Sequence, residues 1–142
     1  MPVSFSKEEA HAYLDSRPGW MMLTTVGQDG YPHTVPVGYF RVGDELFTGG
    51  RSQAQRLKNI VRNPKVSALF ESGSTMQDIK GLLVQGDADV VTEPSEVLPL
   101  LQAAARQRGT AEDKLPTEVQ PGASFIRIRA RRYLSWDYSR GQ

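Results

Sequence analysis

Residues 46–70, LFTGGRSQAQRLKNIVRNPKVSALF, read as a strand, a Gly-Gly turn, a helix and a second strand. The segment carries Arg51, Arg56, Lys58, Arg62 and Lys65 and no Asp or Glu. Asn63-Pro64 ends the helix, since a residue before proline is pushed out of the α region, so a helix is predicted over about 52–62. A helix start offers free N–H groups and the positive end of a dipole. Gly49 and Gly50 would let the backbone approach a ligand closely, with Arg51 and Ser52 adding charge and donors. Arg56 falls one turn beyond Ser52 on the same face. Such a start suits a phosphate. The other reading is a helix whose basic face merely meets water. Against that, the run lacks the acidic partners that exposed helices carry for i,i+4 pairing. Neither a Walker A loop nor a Gly-x-Gly-x-x-Gly fingerprint is present.

On the N-terminal side, Ser6 and Glu9 make a capping box for a short helix over about residues 6–16, with Ala10, Tyr13 and Leu14 on its apolar face. Arg17-Pro18-Gly19 stops it. Strands are predicted at about 20–26, 31–41 and 45–48, the first two joined by Gln28-Asp29-Gly30. On the C-terminal side, strands follow at about 66–71 and 80–91, with Gly81 and Gly86 marking bends or bulges. Thr92-Glu93-Pro94 opens a third helix, and Pro99 within it argues for a kink or a delayed start. Residues 109–122 are polar and read as a surface loop. The last strand, about 124–138, alternates Ile126, Ile128 and Ala130 against Arg127, Arg129 and Arg131. Six strands and three helices that do not alternate exclude a doubly wound parallel sheet and predict an antiparallel barrel.

The 142 residues make one domain, 1–142, with a net charge of +1, 39% hydrophobic and 23% charged residues. That balance gives no reason to expect nucleic acid or an anionic membrane as partner. Without cysteine there is no disulfide, thiol nucleophile or Cys-ligated metal. No apolar run approaches the roughly 20 residues of a membrane span, and the glutamates near the start do not suit a signal peptide, so the expected location is the cytoplasm.

The second strand, Tyr31-Pro32-His33-Thr34-Val35-Pro36-Val37-Gly38-Tyr39, holds two prolines and a glycine. It is either a protected edge strand or an irregular backbone against which a flat ligand lies. Two histidines, His11 and His33, make a His-based metal site a poor expectation. No Gly-x-Ser-x-Gly elbow exists, and Glu71, Asp78, Asp87 and Asp89 show no paired-carboxylate pattern.

Three runs carry a family likeness: Trp20-Met-Met-Leu-Thr-Thr-Val, Asp29-Gly-Tyr-Pro-His-Thr-Val-Pro-Val-Gly-Tyr, and Ser52…Arg56-x-x-Asn59-Ile-x-x-Asn63-Pro. With Lys80-Gly-Leu-Leu-Val-Gln-Gly-Asp-Ala and Ser135-Trp136-Asp137-Tyr138, they resemble the pyridoxamine 5′-phosphate oxidase-like superfamily of flavin- and deazaflavin-binding split β-barrels. The likeness covers nearly the whole chain. It implies a homodimer with two cofactor sites at the subunit interface, and a basic helix segment that holds the cofactor phosphate. A family Lys stands three residues before the Asn-Ile pair; here that position is Arg56, whose fork also suits phosphate. By the same likeness Pro36, Val37 and Gly38 face the ring, Thr48 sits near the tail, Arg51, Ser52, Arg56 and Lys58 surround the phosphate, and Trp136 approaches from the partner.

The implied cofactor is FMN, with coenzyme F420 as the alternative, and the implied activity is hydride transfer to or from a small organic substrate. No extension matches the substrate-binding C-terminal part of true pyridoxamine phosphate oxidases, so the small reductases are the better analogues. Two rivals remain: a binder of a cofactor or haem-like ligand without turnover, and an OB-like barrel for single-stranded nucleic acid. Near-neutral charge weighs against the second.

Overall fold

The computed structural model describes residues 4–50 and 54–140. Its first helix, α1 (Lys7–Asp15), begins at the expected capping box: the Glu9 amide donates to Ser6 Oγ at 3.1 Å, and the Ser6 amide donates to Glu9 Oε1 at 2.9 Å. Ala10 and Leu14 are buried on the inner face. Arg140 clasps this helix from the other end of the chain, its guanidinium 2.5 Å from Glu9 Oε2. That hydrogen bond, joined by the Ser6 amide, holds the Glu9 carboxyl down at about 2, below its usual 4.5. A depressed carboxyl stabilises the fold above pH 4.5 and loses that contribution as the pH falls toward 2. Both side chains are partly solvated, so the effect is small. The melting temperature of Glu9→Gln is expected to lie slightly below the parent at pH 6 and to converge with it at pH 2.

The strands are β1 (Met21–Val26), β2 (Pro32–Val37), β3 (Phe40–Val42), β4 (Glu45–Gly50), β5 (Lys65–Ser72), β6 (Lys80–Val91) and β7 (Ser124–Asp137). They form one antiparallel sheet in the order β2-β1-β5-β6-β7-β4-β3. Two expectations need correction here. There are seven strands rather than six, because the segment expected as one strand over 31–41 changes partner midway. β2 pairs with β1, whereas β3 pairs with β4 at the opposite end of the sheet, and Gly38-Tyr39 carries the chain between them. The barrel is also not closed, since no ladder joins β2 to β3. The edge reading of the proline-bearing strand is correct: β2 has β1 as its sole ladder partner among the described residues, and an edge tolerates proline.

The sheet nevertheless curls upon itself. Met21 and Leu23 of β1, Leu46 of β4, Ala68 and Phe70 of β5, Leu82 and Val84 of β6, and Ile126 and Ile128 of β7 share one buried cluster. Its two edges are bridged covalently by Gly38-Tyr39, and the Tyr39 ring meets Phe70 edge-on at 4.8 Å. The result is a barrel slit along one side. Leu57 and Ile60 of α2 (Gln55–Arg62) add to the same cluster, as do Ala10 and Leu14 of α1.

The third helix, α3 (Pro94–Gln107), starts at Pro94 without delay and continues through Pro99. It buries Val97 and Ala104 against Phe40, Phe47, Val91 and Phe125 in a second cluster. A single turn of 3-10 helix at Glu112–Lys114 interrupts the loop after it. The arginine face of β7 is tied down: Arg127 pairs with Asp89 at 2.7 Å, Arg129 with Glu45 at 3.1 Å and Arg131 with Asp87 at 2.7 Å. The Arg127 hydrogen bond holds the Asp89 carboxyl below the usual range.

Of the two glycines expected to mark bends or bulges on β6, Gly86 does so, whereas pairing runs in regular register through Gly81, which is instead a site of close packing. The register of β6 on β7 shifts between Gln85 and Gly86, where a Cβ would strike the Arg129 carbonyl. At Gly81 the Trp136 indole lies where a side chain would be. Gly81→Val is therefore expected to destabilise by about 1–3 kcal/mol through overpacking and to shift the tryptophan emission to the red as the ring moves into water. Thermal melts read the first effect and fluorescence the second.

Candidate functional site

β4 and α2 meet at the segment that the sequence marks as a phosphate site, and the structure redraws it. Gly49 and Gly50 are not a turn. They are the last residues of β4, paired with Phe125 and Ser124 of β7. Gly50 is packed rather than bent: a Cβ there would press on Ser124 Oγ and the Leu57 methyls. The helix begins at Gln55, with Ala54 as its uncapped N-terminal residue. Arg51 and Ser52, both expected near the phosphate, lie outside the described residues.

Asn59 fixes the helix on the barrel. It is wholly buried, and its Nδ2 donates to Thr25 Oγ1 of β1 at 2.9 Å. Its Oδ1 accepts from Gln55 Nε2 at 2.8 Å and from the Arg62 guanidinium at 3.0 Å. With the helix so anchored, Arg56, three residues before Asn59 and on a neighbouring flank, reaches the slit.

A cleft of about 550 Å³ opens where the sheet is split. Val37 and Gly38 line it from β2 and the bridging segment, Thr48 and Gly49 from β4, and Arg56 from α2. The structure thus brings together four residues that the sequence singled out at separate places: Val37, Gly38, Thr48 and Arg56. Three others stand apart from it. Pro36 is exposed on the outer face of β2, and Lys58 points to solvent on α2. Trp136 lies over Gly81 in its own chain.

The cleft also contains groups that the sequence did not reveal. Arg17 enters from the end of α1, donating to the Tyr39 carbonyl and sitting 5.2 Å above the Tyr39 ring. Arg108 comes from the end of α3, and Ala104 and Leu101 lie one and two turns earlier on the same face. Phe40 and Phe125 supply aromatic wall, in edge contact at 5.4 Å. Burial pushes the Tyr39 phenol up to about 12, so it stays a neutral donor to the Leu14 carbonyl at 2.7 Å. No carboxylate lines this space.

The electrostatic fit to a phosphate rests on one atom. Arg56 Nε is buried and has no hydrogen-bond partner among the described residues, while its terminal nitrogen reaches the Gly49 carbonyl at 3.2 Å. A guanidinium half-satisfied inside a cleft is costly unless a guest completes it. The residues present therefore fit an anionic group beside Thr48, Gly49 and Arg56. A second hollow of about 500 Å³ flanks α2 on its other side, lined by His33, Gln55 and Asn59. There His33 Nδ1 is likewise buried without a partner among the described residues. Among the described residues the slit cleft is lined by no carboxylate or histidine, and in the second hollow Asp29, which accepts from the Tyr31 amide, makes no hydrogen bond with His33. Among the described residues, no group of three His, Asp or Glu could hold a metal ion, and no helix is long and apolar enough to cross a membrane.

Comparison with known proteins agrees with this geometry. No curated protein sequence matches the chain. In structure it is similar to a conserved hypothetical protein from Mycobacterium tuberculosis, with 26% identity, a TM-score of 0.82, and coverage of 96% of this chain and 87% of that one. It shares its fold with an F420 reductase (21% identity, TM-score 0.64, 86% and 94% covered). It also shares it with a haem storage protein from Vibrio cholerae (15% identity, TM-score 0.68, 95% and 99% covered). The model of the pyridoxamine 5′-phosphate oxidase family matches residues 6–137, which take in the whole sheet and all three helices. The chain belongs to the pyridoxamine 5′-phosphate oxidase family.

Proposed function

We propose that this protein is a flavin-type oxidoreductase that binds FMN, or alternatively coenzyme F420, in the cleft at the barrel slit and passes hydride to or from a small organic substrate. The observation that carries this reading is the buried, unpartnered Arg56 Nε in a cleft that contains cations and aromatic rings but no carboxylate. Arg56 would hold the phosphate, with Thr48 beside it, and the backbone at Val37 and Gly38 would flank the ring. When bound, the ring supplies the hydride chemistry. The chain's own residues orient it, shield one face with Phe40 and Phe125, and keep water from the reacting side.

The cofactor sites would lie at the interface of a homodimer, with the partner's Trp136 closing each one. In support, Trp20 and Tyr31 are large rings left 69% and 74% exposed near the slit-side edge of the sheet. A monomer by sedimentation at tens of micromolar, with cofactor present, would refute that arrangement.

Titrating FMN and F420 separately, followed by ring fluorescence, tests the reading. Saturable binding of at least one is expected, and binding of neither overturns it. That no carboxylate or histidine among the described residues lines the cleft equally favours a second reading, a binder without turnover. Re-oxidation of the reduced, bound cofactor by a quinone separates the two. A rate above that of free cofactor supports the enzyme; a rate at or below it supports the binder.

A further inference from the structure

Six arginines of this chain sit against a carboxylate: Arg41, Arg106, Arg127, Arg129, Arg131 and Arg140. The three that line the cleft, Arg17, Arg56 and Arg108, have no carboxylate partner among the described residues. Like charges gathered in one concave space repel, and the field they create draws in anions. One phosphate at Arg56 leaves two cations without an anionic partner among the described residues.

Arg17 is linked to the end of α3 that carries Arg108, whereas Arg56 is held at a different element. The Arg17 guanidinium donates to Gln107 Oε1 at 3.4 Å, and Gln107 is the last residue of α3, next to Arg108. Arg56 is instead tied to Gly49 at the end of β4. The same cleft is lined by Phe40, Leu101, Ala104 and Phe125. Arg17 is also the sole non-glycine residue with a positive φ among those described, 59°, at the helix-end position that glycine normally takes. A strained backbone retained at a site edge is consistent with a function for its side chain.

We infer that Arg17 and Arg108 form a carboxylate-recognition subsite, so that the substrate of the proposed reaction is an aromatic or otherwise apolar molecule bearing a carboxylate. The planar fork of arginine matches a carboxylate in two-point contact. The apolar wall of the cleft then carries the body of the molecule, and Arg56 keeps the cofactor phosphate. This assignment rests on the proposed cofactor reading, but its test is separable from it.

The probes are 2-naphthoate and its uncharged counterpart 2-naphthamide, titrated by calorimetry against the FMN-loaded protein and against the protein alone. Naphthoate is expected to bind at least about tenfold more tightly than the amide, a gap that a single charge-assisted contact supplies. Arg108→Gln and Arg17→Gln should each erase most of that gap while leaving FMN affinity within about twofold. Arg108 makes no side-chain hydrogen bond among the described residues, so its variant remains informative even if Arg17→Gln weakens folding. Equal binding of acid and amide overturns the inference. So does a loss of FMN or F420 affinity in Arg108→Gln, which would give this arginine to an acidic part of the cofactor itself. Naphthoate binding without any cofactor binding would sink the proposed function and leave the carboxylate subsite standing.

Discussion

Arg56→Ala is expected to weaken FMN binding by about 10- to 100-fold, the worth of one charge-assisted hydrogen-bonded pair. The prediction follows from what Arg56 does not do in the free protein. Among the described residues its one side-chain hydrogen bond is to the Gly49 carbonyl, and its buried Nε has no partner. Removing the side chain costs the fold little, so the melting temperature should move by no more than about 2 °C, as for substitutions away from packed features. Arg56→Lys keeps the charge but not the fork, and should fall between the two. Riboflavin, which lacks the phosphate, is the control: its affinity should be the same in the parent and in Arg56→Ala. Fluorescence titration reads all four combinations. An unchanged FMN affinity would place the phosphate elsewhere and remove the main support for the cofactor assignment.

Asn59→Ala is expected to give the largest loss of stability among polar substitutions, about 2–4 kcal/mol. The amide is fully buried and satisfied at both ends, by Thr25 Oγ1 on one side and by Gln55 and Arg62 on the other. Gln55 and Arg62 are exposed enough to find water after the change. Thr25 is not: its hydroxyl is buried and would be left unpaired beside a new void. For a chain of this size the melting temperature should fall by about 6–15 °C. A double-mutant cycle with Thr25→Val checks the cause. If the orphaned hydroxyl carries the cost, Thr25→Val should recover part of the lost stability in the Asn59→Ala background and be destabilising in the parent. Because Asn59 also sets the angle of α2, the variant should lose FMN affinity in step with its disorder.

The sequence disclosed those parts of the molecule whose signal is local. The Ser6–Glu9 capping box, the Asn63-Pro64 stop and the alternation of Ile126 and Ile128 against arginines each depend on neighbours within a few residues, and all three appear in the structure. It misread Gly49-Gly50, because glycine in a sequence marks a turn. Here two glycines are needed for a different reason, the closeness of β7 and Leu57, which no local pattern records. It also took 31–41 as one strand, since a change of pairing partner at Gly38 leaves no trace in periodicity. In the cleft, Val37, Gly38, Thr48 and Arg56 were legible from an irregular strand, a basic helix and the family likeness. Arg17 and Arg108 were not. They stand about ninety positions apart, and Arg17 looked like nothing more than a helix stop. Only the path of α3 across β3 brings them to one place.

The position of β7 has a consequence for how the protein is made. This strand lies between β6 and β4 inside the sheet, yet it follows every other described element in chain order. Until it emerges, β6 and β4 each present an unpaired edge, and the cleft lacks Phe125. The β4–β7 pairing spans 84 residues between Glu45 and Arg129, so folding must await a contact of long sequence separation. During translation the ribosome therefore holds a half-sheet whose two sticky borders are the natural targets of chaperones and of neighbouring nascent chains.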